Sequence, residues 1–236
     1  MRMKRVIVLV VVFAMLLVGC ANKQEADSES AISTDNQTFA TANTGADEST
    51  QMETAHIITP LPDTTMENLT DAILSVSLEV GDAYFDDNGT MWMDVTVYAY
   101  DQYDMVDIAN LNVGDTILRQ SGEVEVTSVE RNEFGSLCIN GGFENGGFDL
   151  ATDDSGVFYE KGYNDSRNWY AVGEVTLPLA NNFVGVDNAD LEFPDLALTP
   201  DNFLNDNIII FDFTPYNTTI RVENGQIVEL DRRYTP

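Results

Sequence analysis

The sequence is poor in the side chains on which most enzymes and nucleic-acid binders depend. It has one histidine, His56, and two cysteines, Cys20 and Cys138. With no histidine after position 56, histidine-based triads and His-containing metal sites are excluded from everything downstream. Bases are scarce as well: 11 Lys and Arg stand against 40 Asp and Glu, a formal net charge of −29. Phosphate binding needs a clustered basic surface, so nucleic acid is excluded as a partner and direct docking on anionic lipid is disfavoured. The longest apolar run, Val6–Val18, has thirteen residues, whereas a membrane-spanning helix needs about 20. No stretch shows sustained helical periodicity, which argues against an all-α fold.

What is present begins with an address. The chain opens Met1-Arg2-Met3-Lys4-Arg5, places the thirteen-residue apolar run next, and reaches no acid before Glu25. Positive charge followed by a short apolar core is the pattern of a secretory signal. The run ends Leu17-Val18-Gly19-Cys20. That quartet resembles the lipobox of bacterial prolipoproteins, and the resemblance covers residues 1–20. It implies a signal peptide over 1–19, diacylglyceryl transfer to the Cys20 thiol, and cleavage before Cys20. The expected location is the outer face of the cell membrane, with the membrane as partner through the lipid anchor. More than one acyl chain is needed for lasting attachment, because a single chain holds only marginally.

Residues 20–57 then read as the acylated cysteine and an acidic spacer rich in Ala, Ser, Thr, Asn and Gln, with seven acids and one lysine, Lys23. Such composition buries too little apolar surface to fold, and a coil of this length reaches about 35 Å. Without residues 1–19 the chain keeps 8 bases and all 40 acids, a formal −32. Acylation of Cys20 leaves Cys138 alone, so residues 58–236 must fold without an internal disulfide. They suffice for one large domain or two subdomains.

The pattern over 58–236 is that of short strands. Ile73–Val80 and residues 91–100 alternate, with Met91, Met93, Val95, Val97 and Ala99 on one face of the second segment. Asp87-Asn88-Gly89 and Asn224-Gly225 read as hairpin turns. Further strands are expected at 115–119, 124–129, 135–140, 157–161, 168–178, 208–213, 218–222 and 227–230. Asp104 should cap a helix over 105–110, and Thr199-Pro200 should start another. The fold class is therefore mainly β, a barrel or sandwich of short antiparallel strands with one or two short helices. From Asp94 to Gly147 and over Tyr216–Pro236 the domain also resembles uncharacterised surface lipoproteins of Gram-positive bacteria, a resemblance that carries no activity with it.

Four features are weighed for chemistry. Cys138 has no histidine in the domain and no lysine or arginine between Arg131 and Lys161, so it reads as an unactivated thiol and no catalytic residue is assigned. The tandem Asn140-Gly141-Gly142-Phe143-Glu144 and Asn145-Gly146-Gly147-Phe148-Asp149 reads as a glycine turn. Acid clusters at Asp86-Asp87-Asn88, Asp153-Asp154 and Asp187–Asp195 lack the EF-hand frame. They imply no cofactor or assigned metal ligand, although acid-rich loops could hold a structural calcium ion. Trp92, Tyr98 and Tyr100 share the polar face of the 91–100 strand with Asp94 and Thr96. Flat aromatics beside polar groups suit a glycan or peptide ligand, and the alternative is a face packed under a second layer. The residues favour a non-enzymatic, ligand-binding or structural lipoprotein of the cell envelope. The alternative is a carboxylate-dependent hydrolase of envelope or dietary glycans, which needs two carboxyls facing across a cleft.

Overall fold

The computed structural model describes residues 55–235 except 64, 65, 68, 134, 154, 164, 165 and 205–211. Cys20 and the spacer up to residue 54 lie outside the described residues. In chain order the first strands are β1 (Ile57–Ile58), β2 (Ala72–Ser77), β3 (Ala83–Phe85), β4 (Met91–Ala99) and β5 (Gln102–Tyr103). Helix α1 (Met105–Ala109) precedes β6 (Thr116–Arg119), β7 (Gly122–Glu125), β8 (Val129–Arg131), β9 (Leu137–Ile139), β10 (Phe148–Thr152) and β11 (Phe158–Glu160). Then come β12 (Tyr170–Asn188), β13 (Leu196–Leu198), helix α2 (Pro200–Leu204), β14 (Thr218–Glu223) and β15 (Gln226–Arg233). The protein is mainly β, with two short α-helices among the described residues.

Five of these strands close into a barrel. β2 pairs with β4, β4 with β12, β12 with β15, β15 with β14, and β14 with β2. All pairings are antiparallel except β12 with β15, which is parallel. The alternation in β4 explains which face points inward. Met91, Met93, Val95, Val97 and Ala99 are buried, while Trp92, Asp94, Thr96 and Tyr98 face out. Met91, Met93, Val95 and Val97 join Leu74, Val76, Leu177, Leu179, Ile220 and Leu230 in the barrel core. Each such side chain contributes roughly 1.5–3 kcal/mol by burial.

β12 makes closure possible. Its 19 residues would extend about 60 Å if straight. Instead it pairs with β4 over Tyr170–Pro178 and with β15 from Leu179 onward, with register shifts at 171/173 and 179/184. Pro178, which has no N–H to donate, sits where the strand exchanges partners. Sequence composition suggests a strand ending near 178.

A second lobe is formed by the residues between β4 and β12 together with β1, which precedes the barrel strands. It contains the antiparallel sheet β5-β11-β10-β9-β8 and the small sheet β1-β6-β7 around Tyr103, Ile108, Ile117, Ile139, Phe148 and Leu150. Residues 51–236 group as one compact unit containing both cores. The pairing of β1 with β6 corrects the spacer boundary. The Thr116 amide donates to the His56 carbonyl at 2.9 Å, and the His56 amide to Asp115 at 2.8 Å, so His56 and Ile57 belong to the folded unit.

The expected strand 124–129 is interrupted instead. β7 stops at Glu125 and β8 begins at Val129 in the other sheet. The Asn140 side chain fills the gap, accepting from the Thr127 and Ser128 amides and donating to the Glu125 carbonyl. Asp104 caps α1 by accepting from the Val106 amide at 2.7 Å. The β14–β15 hairpin turns on Asn224 and Gly225, both at positive φ. Of the expected strand 208–213, residues 208–211 lie outside the described residues, and Phe213 bridges to Leu78. No helix among the described residues is long and apolar enough to cross a membrane.

Candidate functional site

The outer face of β4 is divided into two ends. Trp92 lies at one, opposite Tyr84 on β3 and Pro178 on β12, with its indole N–H donating to Asp86 at 3.2 Å. Tyr98 lies six residues on, about 20 Å along the strand, where its hydroxyl accepts from Ser77 at 3.2 Å. Tyr100 follows just past the strand end. All three rings are half-buried. Tyr98 and Tyr100 are brought together in one place and Trp92 is not among them.

That place is a pocket of about 360 Å³ between the barrel and the lobe. Tyr98 and Tyr100 are joined there by Trp169 and Tyr216. Tyr100 and Trp169 meet edge to face at 4.7 Å, forming an aromatic corner. The Tyr100 amide donates to Asp63 at 3.2 Å, which draws the segment before β2 onto the same wall. Tyr216 is supplied by the turn before β14 and is half-exposed at the pocket mouth. Arg167 and Arg233 also line the pocket. The Arg167 guanidinium lies 4.9 Å from the Tyr100 ring centre and 5.0 Å from that of Tyr159, and it donates to Asp153 at 3.1 Å. Its Nε is buried with no hydrogen-bond partner among the described residues.

A larger groove, about 1110 Å³, lies on the outer faces of β4 and β12. Glu79, Asp82, Asp94, Glu174 and Asp212 line it and no base does. Thr176 donates to Asp94 across the two strands at 2.5 Å.

The acid clusters serve local structure. Asp86 accepts from the Asn88 and Thr90 amides, both at 2.9 Å. Hydrogen bonds from the Thr90 amide and then the Trp92 indole hold its carboxyl below the ordinary range. Asp153 is lowered chiefly by the Ser155 hydroxyl, and Asp187 pairs with Arg232. Asp154 lies outside the described residues. Among the described residues no three His, Cys, Asp or Glu side chains are grouped to hold a metal ion. The Cys138 thiol is pushed up, first by burial and then by the Asp149 carboxylate beside it, which leaves little thiolate at neutral pH. The glycine tandem is a tight turn between β9 and β10, with Gly141, Gly142 and Gly146 at positive φ.

The sequence reading missed a buried polar network in the lobe. Glu160, 4% exposed, accepts from Arg119 Nε at 2.7 Å and from Asn168 at 2.7 Å. Asp101, 6% exposed, accepts from the Gln120 amide at 2.8 Å and faces the Tyr170 hydroxyl at 3.4 Å. Burial raises the Asp101 carboxyl and the Glu160 charge adds to the shift, while the Gln120 bond opposes it. Burial, then Asp101, pushes Tyr170 up to about 12. These carboxylates are occupied by internal donors and line neither the pocket nor the groove.

Trp169, Tyr216 and Arg167 were also missed. Trp169 and Arg167 carry a faint signal, a rare base two residues from one of two tryptophans, whereas Tyr216 carries none. No family model, curated protein or solved structure matches the chain.

Proposed function

We propose that the chain is an exported lipoprotein, anchored through acylated Cys20 to the outer face of the cell membrane, whose β domain binds an extracellular glycan or peptide. The carrying observation is the pocket at which Tyr98, Tyr100, Trp169 and Tyr216 converge from three separate segments. Its volume is at the small end of ligand sites, which run from about 300 to 1,000 Å³. Flat rings offer area at low entropic cost, and neighbouring polar groups fix orientation. The anchor reading rests on the basic start, the short apolar run and the Leu17–Cys20 quartet.

The test is capture of the full-length chain, in detergent micelles, on glycan and peptide arrays. Tyr216→Ala should lower capture about tenfold without lowering the melting temperature, since the ring is 51% exposed. Capture unchanged by Tyr216→Ala and Trp169→Ala removes the pocket from consideration. In cells, Cys20→Ala should abolish palmitate labelling, and labelling that persists overturns the anchor.

A second reading is a glycan hydrolase, and its one favourable observation is the acidic groove. Five-stranded Greek-key barrels of the OB type bind ligands on the outer faces of their second and third strands. Here those strands are β4 and β12, which carry Asp94 and Glu174. Glycan turnover that is lost in both Asp94→Asn and Glu174→Gln would favour hydrolysis over binding.

A further inference from the structure

Resting on the pocket reading above, we infer that the ligand of the aromatic pocket is a neutral saccharide, held by two free tyrosine faces over a floor of uncharged hydroxyl and amide groups. The floor follows from register. Thr219 on β14, Ser75 on β2 and Tyr98 on β4 are cross-strand partners, so they form one outward row with neighbours about 4.8 Å apart. All three line the pocket, as does Gln102. The side chains of Ser75, Thr219 and Gln102 make no hydrogen bond among the described residues, and none of their polar atoms is sealed from solvent. The Trp169 indole N–H is unspent in the same way.

The rings are of two kinds. Tyr100 is enclosed: Trp169 and Tyr159 meet it edge to face, and the Arg167 guanidinium lies over it. Tyr98 and Tyr216 touch no other ring and no cation among the described residues. Their flat faces suit the C–H face of a sugar, whose hydroxyls then meet the floor. No charge is left over for a ligand. Arg167 pairs with Asp153 at 3.1 Å and Arg233 with Asp231 at 2.8 Å, and Asp63 accepts from the Tyr100 amide. Three acids thus stand with two arginines, and Arg167 Nε is sealed from solvent and out of a ligand's reach. Peptide capture by strand addition needs an open sheet edge, whereas β2 is paired on both sides, with β14 and with β4.

The test is capture of the full-length chain, in detergent micelles, on one array of neutral, uronate-bearing, phosphorylated and amine-bearing oligosaccharides together with proline-rich peptides. Calorimetric titration of the best-captured probe and its charged or neutral analogues follows. A neutral oligosaccharide should be captured best. Its uronate and amine analogues should bind at least about tenfold more weakly, since their charge would leave water with no free counter-charge to meet. Affinity for the neutral probe should stay level as ionic strength rises from about 0.05 to about 0.5 M, because no ion pair forms. Both measurements use the unaltered chain, so neither depends on a variant that folds. Ser75→Ala and Gln102→Ala each remove a group that makes no internal hydrogen bond, so each should weaken the neutral probe about fivefold at an unchanged melting temperature. Preferred capture of a charged saccharide or of a peptide, lost in Tyr216→Ala, overturns the neutral assignment but keeps the pocket. Neutral binding that ignores both Ser75→Ala and Gln102→Ala also overturns the inference. No capture sensitive to Tyr216→Ala or Trp169→Ala overturns both readings.

Discussion

Replacing Asp187 with alanine should destabilise the barrel more than any surface change of the same size. Asp187 on β12 and Arg232 on β15 are register partners in the parallel pairing that closes the ring. Arg232 is 1% exposed and donates through Nε to Asp187 at 2.8 Å, and its Nη2 engages the second carboxylate oxygen. The guanidinium also lies 4.3 Å from the Phe213 ring centre. The alanine variant leaves that cation buried without its carboxylate, which costs about 3–5 kcal/mol. In a domain of this size each kcal/mol lowers the melting temperature by roughly 2–4 °C, so a fall of about 6–20 °C is expected. Far- and near-ultraviolet circular dichroism melts of the full-length chain measure it. The paired replacement Asp187→Leu with Arg232→Met should recover most of the loss, because apolar residues of similar volume often substitute for a buried ion pair at no cost. A single-variant loss below about 1 kcal/mol, the range of solvent-exposed pairs, would refute the argument that burial sets the cost.

Two further perturbations follow from geometry. A Cβ on Gly185 would sit 2.7 Å from the Leu198 carbonyl oxygen and 2.8 Å from Leu198 Cβ. Gly185→Ala should therefore push β13 off β12 and cost about 1–3 kcal/mol, seen as a lower urea midpoint, and an unchanged midpoint would contradict the close approach. The Asp101 carboxyl is raised above its ordinary 3.8 by burial. The folded state therefore holds that proton to higher pH than the unfolded chain does. The Asp101 contribution to stability then falls as pH rises from near 3.8 through the raised value, and is level above it. Asp101→Asn should flatten that limb in urea midpoints measured between pH 4 and 7, and an identical slope in the variant would sink the assignment.

The sequence made local structure legible where one segment held all the information. The alternation of β4, the Asp104 cap and the Asn224-Gly225 turn each depend on neighbours a few residues apart, and each was read correctly. Closure of the barrel was hidden, because it depends on β12 pairing with β15 some 45 residues away in sequence. The break at 126–128 was hidden for the same reason, since the side chain that repairs it comes from Asn140. For the candidate pocket, two of its four rings lie two residues apart in one strand region and could be found by period. Trp169 and Tyr216 reach it through folding alone.

The parallel pairing of β12 with β15 also has a consequence for assembly. The lobe has all its strands once β11 has emerged at Glu160, so it can organise while the chain is still emerging. The barrel cannot, because its ring lacks a member until β15 has arrived. Until then β12 and β14 each present an unpaired edge, the form of sheet that recruits other chains. A chain delivered through a membrane in extended form would meet that exposure at its final step. A truncation before Gln226 would make the exposure permanent, turning a closed ring into an open sheet with two adhesive edges.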